Sequence, residues 1–169
     1  MQGLWKQSLY VSCISFVLAE ESGVVKPEDA LLAGLIADIG AIPVLHFAGQ
    51  HAADLKDMED LEFLLPFLSP ASGTLVLRTL GFSEDLALIP KQTSDWFFES
   101  SNDKLTLADV VILAKLHSYI GTPKAKTLPY INTIPAYTKL KNGKLNPDFS
   151  LDLLHKAHQR IHSAMSIFS

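Results

Sequence analysis

Apolar residues recur along this chain at helical spacing almost throughout, and no stretch shows the strict alternation of a half-buried strand. Leu4 to Glu21 reads as a first helix, stopped at Ser22-Gly23, where glycine can adopt the left-handed cap conformation. Pro27 opens a second at a favoured first-turn position, with Glu28 and Asp29 behind it. Its apolar positions Leu31, Leu32, Leu35, Ile36 and Ile39 predict a buried face to about Gly40, with a kinked continuation past Pro43. Leu61 to Leu68 is apolar but bracketed by Pro66 and Pro70, which predicts a short helix, and Ser72 to Leu80 predicts another, ended by Gly81. Ser83 followed by Glu84 and Asp85 has the pattern of an N-cap. Leu105 to Ile120 is strongly helical and closed by Gly121 and Pro123. Residues 122–148 are rich in Pro, Thr, Asn and Lys and predict loop around a short helix. A last amphipathic helix spans about Ser150 to Ile167, with Leu151, Leu154, Ala157, Ile161 and Ala164 as its buried stripe.

The fold class this predicts is all-α: a compact globular array of about six to eight helices in a single domain over residues 1–169. Composition sharpens that picture. Hydrophobic residues make up 48% of the chain and charged ones 19%, which excludes a disordered polymer. A net charge of −4 argues against nucleic-acid backbones as partners. No run reaches the ~18 consecutive apolar residues of a spanning helix. The nearest, Leu9 to Ala19, is interrupted by Ser12, Cys13 and Ser15 and followed by Glu20-Glu21, so a buried helix fits it better than a leader. The single cysteine, Cys13, excludes an internal disulfide and a thiolate-rich metal site, and points to a reducing cytoplasm.

Motifs for a nucleophilic serine, a phosphate loop or a dinucleotide are absent, and the single glycines at helix ends read as caps. His155, His158 and His162 share one stripe of the last helix, but no glutamate or acid cluster accompanies them, and they read as solvated surface. His46 and His117, in apolar surroundings, read as satisfied core or boundary side chains, and His51 is isolated. The acidic run Asp54, Asp57, Glu59, Asp60 and Glu62 reads as a solvated face. Two charges stand out because they sit in apolar segments: Asp38 and Lys115. A buried charge needs a partner or a function, and an Asp38–Lys115 ion pair would answer for both.

The segment Leu32-Ala-Gly-Leu-Ile-Ala-Asp-Ile-Gly40 strongly resembles the "aGLLHDIG" helix of HD-domain phosphohydrolases. More closely, the chain resembles an HDOD domain, the bacterial signalling relative of that family. Leu4-Trp-Lys-Gln-Ser8 is similar to "lWrHS", and Ser72 to Gly81 to "iGa.Ll..Wg". Phe82 to Pro90 is similar to the "lP..l..ai" helix, and Leu107 to Gly121 to the late helix carrying "A-D", here Ala114-Lys115. The stretches match the later part of the HDOD module, whose members usually carry another helical bundle first. Without it, apolar surface is expected to stay uncovered, in keeping with a mean hydropathy of +0.21, and to favour self-association or a partner.

The resemblance also locates a metal site whose ligands are replaced. The family's first histidine corresponds to Gln7, its His-Asp pair to Ala37-Asp38, and a histidine before the "iGa" helix to Ser69. The paired histidines fall at about Thr93 and Ser94, and the last aspartate at Lys115. One carboxylate cannot hold Mg²⁺ or Mn²⁺ alone, and a lysine at a ligand position repels a cation. The resemblance therefore implies a non-catalytic, cytoplasmic, HDOD-type signal-transduction module. It would act through a protein partner, a homodimer or a small ligand, with no cofactor, nucleic acid or membrane. One alternative is a metal-dependent phosphohydrolase, with His46, His51 or His117 converging on Asp38 and a divalent metal as its cofactor. Another is a nucleotide sensor without hydrolysis, with Lys115 or Arg78 meeting phosphate.

Overall fold

The computed structural model describes residues 2–50, 58–140, 152, 155–161 and 163 of the 169. The regular elements among them are all helical. They are α1 (Gln2–Ser22), α2 (Pro27–Ile36), α3 (Ala41–Gln50), α4 (Met58–Thr79), α5 (Glu84–Ala87), α6 (Ile89–Gln92), α7 (Leu107–Ser118) and α8 (Pro135–Thr138). Short 3-10 turns lie at Pro123–Thr127 and Ile131–Thr133. This is the all-α array that the hydrophobic pattern predicts.

The core forms around α7. Thr106 caps its N-terminus: the threonine hydroxyl accepts from the Asp109 backbone N–H, and the Asp109 carboxylate accepts from the Thr106 backbone N–H. Every residue from Ala108 to Ser118 is buried, so the helix has no wet face, as expected of one enclosed by its neighbours. Helices α1 and α2 pack on it and on each other. Their mutual approach is close because small residues meet there: a Cβ added to Gly34 would stand 2.7 Å from the Ser12 Cα. Val11, Ile14, Val17 and Leu18 of α1 then pack with Val110, Val111, Ile112 and Leu113 in one apolar cluster.

Several expectations need correction. The second helix does not run on to Gly40 and past Pro43. It ends at Ile36, and residues 37–40 turn through short-range bonds, Ile39 N–H to Ile36 O and Ala41 N–H to Asp38 O. Pro43 kinks nothing, because it falls in the first turn of α3, where its missing N–H has no intrahelical partner to lose. Conversely, Pro66 and Pro70 do not divide the chain; both lie inside the single 22-residue α4. An interior proline is a penalty of about 3 kcal/mol, not a prohibition. Here burial of Gly73, Thr74 and Leu77, on a helix packed against α3, α5 and α6, holds the C-terminal half in place.

The capping role assigned to single glycines holds at Gly23, Gly81 and Gly121, which have positive φ. It fails at Gly34, Gly40 and Gly73, which are glycine because another backbone or side chain lies against them. Ser83 occupies an N-cap position without a side-chain cap bond, and the helix it opens breaks at Leu88 into α5 and α6. The strong helix predicted from Leu105 begins at Leu107, and its final residues form the turn closed by Gly121. In the predicted last helix, residues 155–161 are helical, with Ala157 buried. Leu151, Leu154, His162 and Ala164 of that prediction lie outside the described residues, as does the acidic run from Asp54 as far as side chains are concerned.

Leu9 to Ala19 lies within α1 and is largely buried. Among the described residues, the stretch that is long and apolar enough to cross a membrane is instead Pro27–Gln50. It is broken at residues 37–40, and its first half packs on α1 and α7.

Candidate functional site

Asp38 stands on the turn just after α2, at the point where the chain folds back to begin α3. That turn sits over α4 with no space between the backbones. A Cβ on Gly40 would lie 1.9 Å from the Ser69 carbonyl oxygen and 2.3 Å from the Gly73 nitrogen. Across from it, α7 carries Lys115 with its side chain about 10% exposed. The structure brings the two together: the Lys115 Nζ donates to Asp38 Oδ1 at 2.9 Å. It also donates to the Thr93 carbonyl oxygen at 3.3 Å, just past the end of α6. One ammonium thus joins α7, the α2–α3 turn and the α6 terminus.

The other positions equivalent to ligands surround this contact without supplying metal donors. Gln7 on α1 donates its amide N–H to Ser118 Oγ at 2.7 Å, and that hydroxyl donates to the Lys115 carbonyl oxygen at 2.6 Å. Ala37 is buried in the core. Thr93 is buried, and its hydroxyl turns back to the Ile89 carbonyl oxygen at 2.8 Å. Ser94, beside it, is exposed and donates to the Lys91 carbonyl oxygen. Ser69 Oγ is buried without a hydrogen-bond partner among the described residues. Among the described residues, no three His, Cys, Asp or Glu side chains gather as a metal site. The donor set around Asp38 does not fit a divalent metal: it offers one carboxylate, and an ammonium occupies the cation's place.

Neither His46 nor His117, two of the histidines that the hydrolase alternative would bring to Asp38, is placed against it. His46 is exposed on α3 and bonded to Gln50 at 3.1 Å, which corrects its reading as a core or boundary residue. His117 is buried in α7, with Nδ1 2.7 Å from the Leu113 carbonyl oxygen. Burial pushes its pKa below the usual 6.5, against the smaller opposing effect of that hydrogen bond. His155 and His158 are exposed, as read from the sequence, while His51 and His162 lie outside the described residues. Arg78 is exposed and ion-paired with Glu84.

A second polar cluster was not singled out from the sequence. Asp109 is fully buried, and it accepts from the Thr106 hydroxyl at 2.8 Å and from Lys139 Nζ at 3.2 Å. Lys139 also donates to the Ser100 hydroxyl. Its signal was present as the Thr-x-x-Asp spacing of residues 106–109 before an apolar run, the signature of a capping box. Ser100 and Thr106 also line an open cleft of about 290 Å³ with Asp85, Gln92 and Phe98.

The fold and its core contact thus define a class: an all-helical array whose Gly-Leu-Ile-Ala-Asp-Ile-Gly turn holds a carboxylate against a lysine. Comparison with known proteins adds a similarity over its first part. The family model of the HDOD domain matches residues 1–65, so the N-terminal part of the chain is similar to that signalling-related family. No curated protein and no solved structure matches the chain.

Proposed function

We propose that this chain is a non-catalytic HDOD-type regulatory module, working by contact with a protein partner or a small ligand in the cytoplasm. The observation that carries the reading is the Lys115–Asp38 ion pair. Metal-assisted phosphoester hydrolysis needs a Lewis acid to activate water and neutralise phosphate charge. Here the carboxylate that would help hold it is bonded to an ammonium, and the family's remaining ligand positions carry Gln7, Ala37, Ser69 and Thr93. Lys115 supplies a fixed positive charge where a metal would otherwise bridge helices, so the pair holds the fold together instead of turning over substrate.

The test is elemental analysis of the purified, unchelated protein, with phosphodiester turnover measured on the same sample and Asp38→Ala alongside. The expected result is no stoichiometric metal and no turnover in either protein. The variant should lose about 1–3 kcal/mol of stability, less than for a fully buried pair because the Asp38 side chain is 29% exposed. Near-stoichiometric metal that disappears in Asp38→Ala, or measurable hydrolysis, overturns the proposal.

A further inference from the structure

Helix α4 keeps a large apolar ridge in solvent. Phe63, Phe67, Ala71 and Leu75 follow one another at intervals of four and are all exposed, with Leu68 beside them. The Phe63 and Phe67 rings already touch, with centroids 5.3 Å apart. Phe63, Phe67 and Leu75 are each about two-thirds exposed (68%, 68% and 67%), whereas core helices of this size hide such residues. From Phe63 to Leu77 no residue carries a charge.

We infer that this ridge is the contact surface for a second copy of the chain, packed α4 against α4 about a twofold axis. The inference rests on the reading of the chain as a protein-contact module and names one partner for it. Two observations select that partner. First, ridges of residues four apart interdigitate with identical ridges at about −50°, so the surface is complementary to itself. Secondly, Phe63, Phe67, Leu68 and Leu75 leave on the order of 500–600 Å² exposed, close to the ~600 Å² per partner at the lower edge of specific interfaces.

The mass of the 169-residue chain by light scattering over a range of concentration tests this, with Phe67→Glu, Leu75→Glu and Tyr130→Glu as variants. All three positions are exposed in the monomer, so helical circular dichroism should stay unchanged and report folding separately. The expected result is a dimer for the unsubstituted chain and for Tyr130→Glu. For the two α4 variants the dissociation constant should rise about thirtyfold or more, the size of an interface hot spot. A wild-type monomer, equal weakening by Tyr130→Glu, or flotation on vesicles of anionic phospholipid overturns the inference. Phosphodiester turnover would instead sink the non-catalytic reading, so the two failures are distinguishable.

Discussion

At Gly40 the chain has no room for one methyl group. The obstructing atoms are the Ser69 carbonyl oxygen and the Gly73 nitrogen and Cα, all backbone and unable to rotate away. Gly40→Ala should therefore destabilise by at least the ~3 kcal/mol at the upper end of overpacking. Gly49→Ala, within α3 and with nothing within 4 Å of the added carbon, should be neutral or stabilising by up to about 1 kcal/mol. Urea unfolding of the two variants checks this; equal midpoints would mean that the α2–α3 turn does not press on α4. The contrast shows what single residues disclose from sequence. Asp38 and Lys115 were legible as a pair because charge inside an apolar run is costly wherever the chain folds. Gly40 was not legible as a packing residue, because a glycine required by φ and a glycine required by a neighbour are identical in sequence. Only the neighbour, thirty residues away, tells them apart.

Elements were legible where a periodic run and its stop signals agreed, as in α1 and α7, and misread where local propensity met tertiary packing. Pro66 and Pro70 predict two short helices, yet α4 runs through both because its C-terminal half is clamped by other helices. The Asp109–Lys139 pair was missed for a different reason: the Thr-x-x-Asp spacing marks the cap of α7, but no local pattern associates Lys139 with Asp109. The pair ties α8 and the following turn to the N-terminus of α7, with the Lys139 side chain 10% and the Asp109 side chain 0% exposed. Removing one partner leaves a buried charge uncompensated, so Asp109→Ala should cost roughly 3–5 kcal/mol. Lys139→Met should cost less, and combining it with Asp109→Asn should restore part of the loss, since no unpaired ammonium then remains. A double-mutant cycle by thermal unfolding measures the coupling. Strict additivity would mean that the contact is incidental and that the cap alone fixes α7.

Over the whole molecule, the shifted titratable groups of the α1–α7 core define a pH range for stability. His117 is buried, and burial lowers its pKa below the usual 6.5. As the pH falls through 6.5 the unfolded chain binds a proton there before the folded chain does, and stability drops, by at most about 1.4 kcal/mol per pH unit for one group. At the other end, burial raises the pKa of Cys13 above 9.0, with smaller opposing effects from Ser12 and Arg160, and raises that of Tyr10 above 10.0. There the unfolded chain loses its protons first, so the stability these groups contribute is complete below pH 9.0 and is lost as the pH rises beyond it. The unfolding midpoint should therefore be level between about pH 6.5 and 9 and fall on both sides. His117→Gln lowers the midpoint everywhere but should flatten the limb between pH 6.5 and 5, whereas Cys13→Ala should flatten only the onset of the alkaline limb. The slopes, not the midpoints, carry the answer, because either substitution also disturbs packing. An acid limb of unchanged steepness in His117→Gln would assign it to carboxylates and show that the α7 histidine is protonated in the folded core.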